Sequence, residues 1–122
     1  MSRSVLLQLA RDSIAEVLEA TRTIDKKGLL DSHPLLNEKI ATQVNIYIDS
    51  ELRGSCKTES SSFSLLESII QNAKKAAFED KSFTPLTTSE YLNSDIELLL
   101  NTDDGIISET DSSILSTSTF TL

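Results

Sequence analysis

The stretch Val44–Lys57, VNIYIDSELRGSCK, decides the fold. Val44, Ile46 and Ile48 alternate with Asn45 and Tyr47, the period-two pattern of a strand with one face buried. A second strand is expected at about 52–58. If Asp49-Ser50-Glu51 forms a three-residue loop, Ile48 faces Leu52, Ile46 faces Gly54 and Val44 faces Cys56, which keeps the apolar side chains on one side. A two-residue loop at Ser50-Glu51 would set Ile48 against Arg53, so the pattern favours the longer loop. The expected hairpin points Leu52 and Cys56 inward, and Arg53, Ser55 and Lys57 outward. Cys56 then reads as a small buried hydrophobe. A reactive thiol would need exposure and a lowered pKa, and Arg53 and Lys57 lie on the wrong side to supply that.

Outward from the hairpin, Leu6, Leu9, Ala10, Ile14, Val17 and Leu18 recur at helical spacing from Val5 to Thr21. Arg11, Asp12, Glu16 and Glu19 read as its solvated face. Gly28 and then DSHP end this pattern, and Pro34 disfavours helix at His33, so a loop or short turn is expected before the sheet. His33 reads as a capping or surface residue. After the hairpin, Ser64-x-x-Glu67 is a capping box opening a second helix to about Glu79, with an apolar stripe of Leu66, Ile69, Ile70, Ala73, Ala76 and Ala77. Its alanines let it approach a sheet or another helix closely, and Lys74 and Lys75 read as a solvated pair. Thr87-x-x-Glu90 matches the same box and suggests one helical turn. DIELLLN follows as a third strand, and Asp104-Gly105 signals a tight turn into a return strand at Ile106-Ile107. Nine of the fifteen residues from Ser108 to Leu122 are Ser or Thr, and this segment reads either as a last strand or as a frayed tail.

The expected fold class is α/β of the α+β type, an antiparallel sheet with helices packed on it in one compact domain. A chain of 122 residues with 39% hydrophobic content can close one such core. All eleven Lys and Arg lie at or before Lys81, against twelve acids, and residues 82–122 hold seven acids and no base. The net charge of -8 argues against nucleic acid and anionic membrane as partners. No apolar run is long enough to span a membrane, and Arg11 and Asp12 interrupt the opening MSRSVLLQLARDS, so a cytoplasmic protein is expected. One cysteine and one histidine cannot build a Cys/His zinc site, and neither metal nor other cofactor is expected.

Taken together, LRGSC and NAKKAAFEDKSFTPLTTSEYLNSDIELLL resemble the AMMECR-one family, in which a hairpin ending Leu-Arg-Gly-Cys-Ile-Gly precedes a helix with an Ala-Ala-x-x-Asp-x-Arg-Phe-x-Pro-Leu run. The matching residues are Leu52, Arg53, Gly54, Ala76, Ala77, Asp80, Phe83, Pro85, Leu86 and Glu90. Ser55 stands at the family's cysteine, Cys56 at its isoleucine and Lys57 at its glycine, so a nucleophilic role inferred for the family cysteine does not carry over to Cys56. Ser82 replaces its arginine. The final segment resembles a later Gly-containing strand of the family, and the chain is read as a C-terminally short domain over 1–122. The resemblance implies the same α/β fold and a partner role beside Memo-like and radical SAM proteins.

Two functions follow as expectations. The favoured one is a non-catalytic accessory module that binds a protein partner, since no Ser/His/Asp set, phosphate loop or metal cluster is visible. The other is an enzyme or small-ligand binder with its pocket beside Arg53-Gly54-Ser55. There Arg53 would clamp an anion, Gly54 would admit a ligand to the backbone and Asp80 would act as base, and Ser55 and Cys56 are the further candidate binding residues. Against this, Arg53 could pair with Asp80 or Glu51 and simply fix the hairpin. Phe83 and Pro85 read as packing anchors that turn the chain back onto the sheet.

Overall fold

The structure is a computed structural model and describes residues 4–58, 63–80, 84–102 and 105–111. Four antiparallel strands, β1 (Ala41–Ile48), β2 (Glu51–Lys57), β3 (Ser94–Thr102) and β4 (Gly105–Asp111), form one sheet in the order β2-β1-β3-β4. The helices α1 (Val5–Glu19), α2 (Lys26–Ser32), α3 (Leu65–Phe78) and α4 (Thr88–Leu92) complete the architecture, with a 3-10 turn at Pro34–Asn37. The fold is thus the expected α+β class.

Alternation places Val44, Ile46, Ile96 and Leu98 on the inner face of the sheet, and all four are fully buried. They meet Leu65, Ile69, Ala73 and Ala76 of α3, behind which α1 adds Leu7, Ala10 and Ile14. Transfer of such aliphatic side chains from water contributes about 1.5–3 kcal/mol each, before the entropy of ordering them is subtracted.

The hairpin departs from the expected register. Val44 pairs with Cys56 and Ile46 with Gly54, as the pattern suggests, but Tyr47 pairs with Leu52 and Ile48 with Glu51. The turn is the two-residue Asp49-Ser50, whose φ values of 53° and 68° are the left-handed pair that a type I′ turn requires. Arg53 is consequently the extra residue of a β-bulge, opposite the Ile46/Tyr47 step. Leu52, expected inside, is turned out and 47% exposed. A bulge is invisible to a pattern argument because both registers satisfy the alternation beyond it.

Other expectations also need correction. Arg11 is not on a solvated face: it is fully buried, its guanidinium 5.3 Å from the Tyr91 ring centroid and its Nη2 donating to the Ser94 carbonyl at 2.7 Å. Glu16 accepts from the Thr23 and Ile24 amides at 2.7 and 2.9 Å and pairs with Lys74 at 3.4 Å, so neither side chain is simply solvated. Val17, expected on the apolar stripe, is 46% exposed near the end of α1, which closes at Glu19 with Ala20 in a left-handed cap. The expected loop around Gly28 contains α2, capped by Asp25, and the 3-10 turn. His33 is exposed between these two elements. The Ser/Thr-rich segment contributes β4 as far as Asp111, and its remainder lies outside the described residues, as do Ser82 and Phe83.

The closest constraint sits at Gly54. A Cβ built there would stand 2.1 Å from the Ala76 carbonyl oxygen, so α3 crosses β2 in a space no side chain can share. Gly54→Ala should therefore destabilise the domain by about 3 kcal/mol, the upper end of ordinary overpacking costs. Urea unfolding would read this as a lowered midpoint, and an unchanged midpoint would contradict the close approach.

Candidate functional site

The five site candidates fall on or beside β2, an edge strand, and the structure separates their roles. Arg53 leaves the bulge toward α4, where Nε donates to Glu90 Oε2 at 2.9 Å and Nη2 to Glu90 Oε1 at 3.0 Å and to the Thr84 carbonyl at 2.9 Å. The partner is Glu90, neither Asp80 nor Glu51. Glu90 closes the capping box of α4 at the same time, accepting from the Thr87 amide at 3.1 Å while its own amide donates to Thr87 Oγ1 at 3.2 Å. The Arg53 guanidinium, with the Thr87 contacts assisting, holds the Glu90 carboxyl below its ordinary range against the opposing effect of burial.

Asp80 Oδ2 accepts the Ser55 backbone amide at 3.0 Å. The Leu86 amide donates to the Ala77 carbonyl at 2.8 Å, and Leu86 is buried, whereas Pro85 is exposed and is not the packing anchor expected of it. Residues 84–90 are thereby clasped onto β2 and the end of α3. An edge strand with unpaired amides invites aggregation, and Asp80 and Arg53 cover this one. The backbone that comes close to Gly54 is that of Ala76.

Cys56 points inward as expected and is partly buried against the core. Its Sγ donates to Asn72 Oδ1 at 3.4 Å. Asn72 Nδ2 in turn donates to Thr42 Oγ1 at 2.7 Å and Thr58 Oγ1 at 2.8 Å, and Ser68 Oγ lies 2.8 and 3.0 Å from the same two hydroxyls. This buried polar cluster was missed from the sequence. The signal was Ser68 and Asn72, spaced one helical turn apart inside the apolar stripe of α3. Burial pushes the Cys56 thiol up, outweighing the nearby Lys75 charge.

On the outer face of the sheet, on which no described helix packs, a second row was also missed. Ser55 Oγ donates to Asn45 Oδ1 at 2.6 Å and Gln43 Nε2 donates to the same oxygen at 3.0 Å. Asn45 Nδ2 and Tyr47 Oη both donate to Glu97 Oε1, at 2.9 and 3.1 Å. Asn45 is only 7% exposed, and burial together with the Glu97 carboxylate pushes the Tyr47 phenol up. The described surface includes two open cavities that bear on the site. One, about 430 Å3, lies on this outer face between Gln43, Lys57 and Leu99. The other, about 720 Å3, lies between the end of α1 and the start of α2. Arg53, Gly54, Ser55, Cys56 and Asp80 line neither.

An antiparallel α+β domain whose edge strand is clasped by the segment after its central helix defines the class. The sequence signature of the AMMECR1 family matches residues 7–111, and the chain belongs to that family. It is similar in structure to an uncharacterised protein of Pyrococcus horikoshii, with a TM-score of 0.70 and 28% identity over 78% of this chain and 48% of that chain. The chain thus spans about half the length of that archaeal protein. Comparison with curated proteins gives no match. Among the described residues no helix is long and apolar enough to cross a membrane.

Two outcomes test these assignments. Arg53→Met should cost about 1–2 kcal/mol, because it leaves a half-buried carboxylate unpaired. Since the Glu90 pKa is lowered on folding, the pair stabilises above the ordinary glutamate range of about 4.3 and its contribution fades as pH falls below it. The stability gap between wild type and Arg53→Met should therefore close on acidification, and a constant gap in urea titrations from pH 7 to pH 3 would count against it. Separately, a bulky maleimide should modify Cys56 in the native protein at least about tenfold more slowly than in urea at the same pH. Equal rates would place the thiol outside.

Proposed function

We propose that the domain is an accessory protein-binding module whose recognition surface is the outer face of the sheet. The observation that carries this reading is the pre-ordered row Gln43, Asn45, Ser55, Tyr47 and Glu97, whose side chains are fixed by mutual hydrogen bonds of 2.6 to 3.1 Å on a face that no described helix covers. A surface already ordered loses little side-chain entropy when a partner docks, and amide, hydroxyl and carboxylate groups suit the polar, wet contacts of non-obligate interfaces.

The residues that catalysis would recruit have structural tasks instead. Arg53 is held by Glu90, Asp80 accepts the Ser55 amide, and Cys56 is turned to Asn72 with its thiolate disfavoured. The family resemblance makes a Memo-like or radical SAM protein the first partner to test, and the acidic balance disfavours nucleic acid. The expected location is cytoplasmic.

The test is isothermal titration of the purified domain with the Memo-like and radical SAM proteins of the same genome. The expected result is saturable binding that Asn45→Arg or Glu97→Arg weakens at least about tenfold and Cys56→Ser leaves unchanged, since a charge introduced or reversed at the centre of an interface is strongly disfavoured. Binding by neither protein, or binding indifferent to both arginine variants, would overturn the reading.

A further inference from the structure

The outer-face cavity lies at the end of the sheet where β1 begins, β2 and β3 end, and β4 starts. It has a volume of about 430 Å3, within the range of small-molecule sites. Its apolar wall comes from Ala41, Leu99 and Ile106, and its polar groups from Gln43, Lys57 and Asn101. Thr42 and Thr58 also border it, but their hydroxyls are turned to Ser68 and Asn72 beneath the sheet.

The charge pattern is selective. In a chain with nineteen acids and eleven bases, the described residues of the lining include one cation and no carboxylate. The exposed Lys57 ammonium makes no ion pair among the described residues. Gln43 is oriented, since its Nε2 donates to Asn45 Oδ1 at 3.0 Å, which leaves its carbonyl oxygen to accept from a ligand. Ile106 is 69% exposed at the rim although it is a large aliphatic residue on a strand.

We propose that this cavity binds a small organic carboxylate with a branched aliphatic body. Lys57 takes the carboxylate, Ala41, Leu99 and Ile106 take the aliphatic group, and the Gln43 and Asn101 carboxamides take an adjacent N–H or O–H where the ligand has one. A single ammonium with two neutral carboxamides matches one negative charge. A phosphate dianion would call for several cations or an array of backbone amides. The site goes beyond the partner-binding reading and does not depend on it.

The experiment is a 1H–15N NMR titration of the full chain with 4-methylpentanoate, N-acetyl-leucine, N-acetyl-leucine amide and inorganic phosphate, each to 10 mM, a range that reaches weak fragment binding. Both carboxylates should shift the amides of residues 41–43, 57–58, 99–101 and 106 saturably, and the amide and phosphate should not. Tighter binding of N-acetyl-leucine than of 4-methylpentanoate identifies the end of a peptide chain as the source of the carboxylate, and the reverse order identifies a free acid. Lys57→Glu lies on an exposed position and should keep the native spectrum while weakening binding at least about tenfold. Absence of shifts at these residues, equal response to the amide, or binding indifferent to Lys57→Glu would overturn the proposal.

Discussion

The approach of the Ala76 carbonyl to Gly54 sets the distance between α3 and the sheet, and most of the molecule is arranged around that distance. At position 54 any side chain would occupy the space of a backbone oxygen. Glycine allows the helix to settle there, and Ala73, Ala76 and Ala77 keep the facing side of the helix equally thin. Close packing of this kind gains dispersion contacts along the whole interface and tolerates no added methyl group. It also places Asn72 within reach of Thr42, Cys56 and Thr58, so the buried polar cluster is satisfied by the same approach.

Once α3 is fixed over β2, the chain that leaves it is tied down by three contacts of different kinds. Leu86 is buried and its amide bonds to Ala77; Asp80 accepts the amide of Ser55; and the bulged Arg53 grips Glu90 in bidentate fashion. The residues through which the chain resembles its family are, in large part, those of this clasp. The outer face of the sheet carries the ordered row of polar side chains and, at one end, the neighbouring cavity.

Much of the fold was legible in local pattern. Alternation at Val44–Ile48 and Ile96–Leu100, the stripe of α3 and the Thr87-x-x-Glu90 box each concern neighbours in sequence, whose geometry is set by the 2.0 and 3.6 residue periods. The site was less legible. The local pattern singled out Arg53 but not its partner, since Glu90 lies thirty-seven residues away and offered itself only as a helix cap. Arg11 looked solvated because a helical wheel shows where a side chain points and not what Tyr91 and Ser94 bring over it.

The sequence by itself determined the strands, the helices α1, α3 and α4, most of their apolar faces and the family to which they belong, because these follow from periodicity, capping and short motifs. Only the tertiary structure decided the bulge at Arg53, the outward turn of Leu52, the burial of Arg11 and the roles of Gly54, Asp80 and Glu90. Those depend on pairings between residues far apart in the chain, where several registers and partners satisfy the same local pattern and only the packing of α3 on the sheet selects among them.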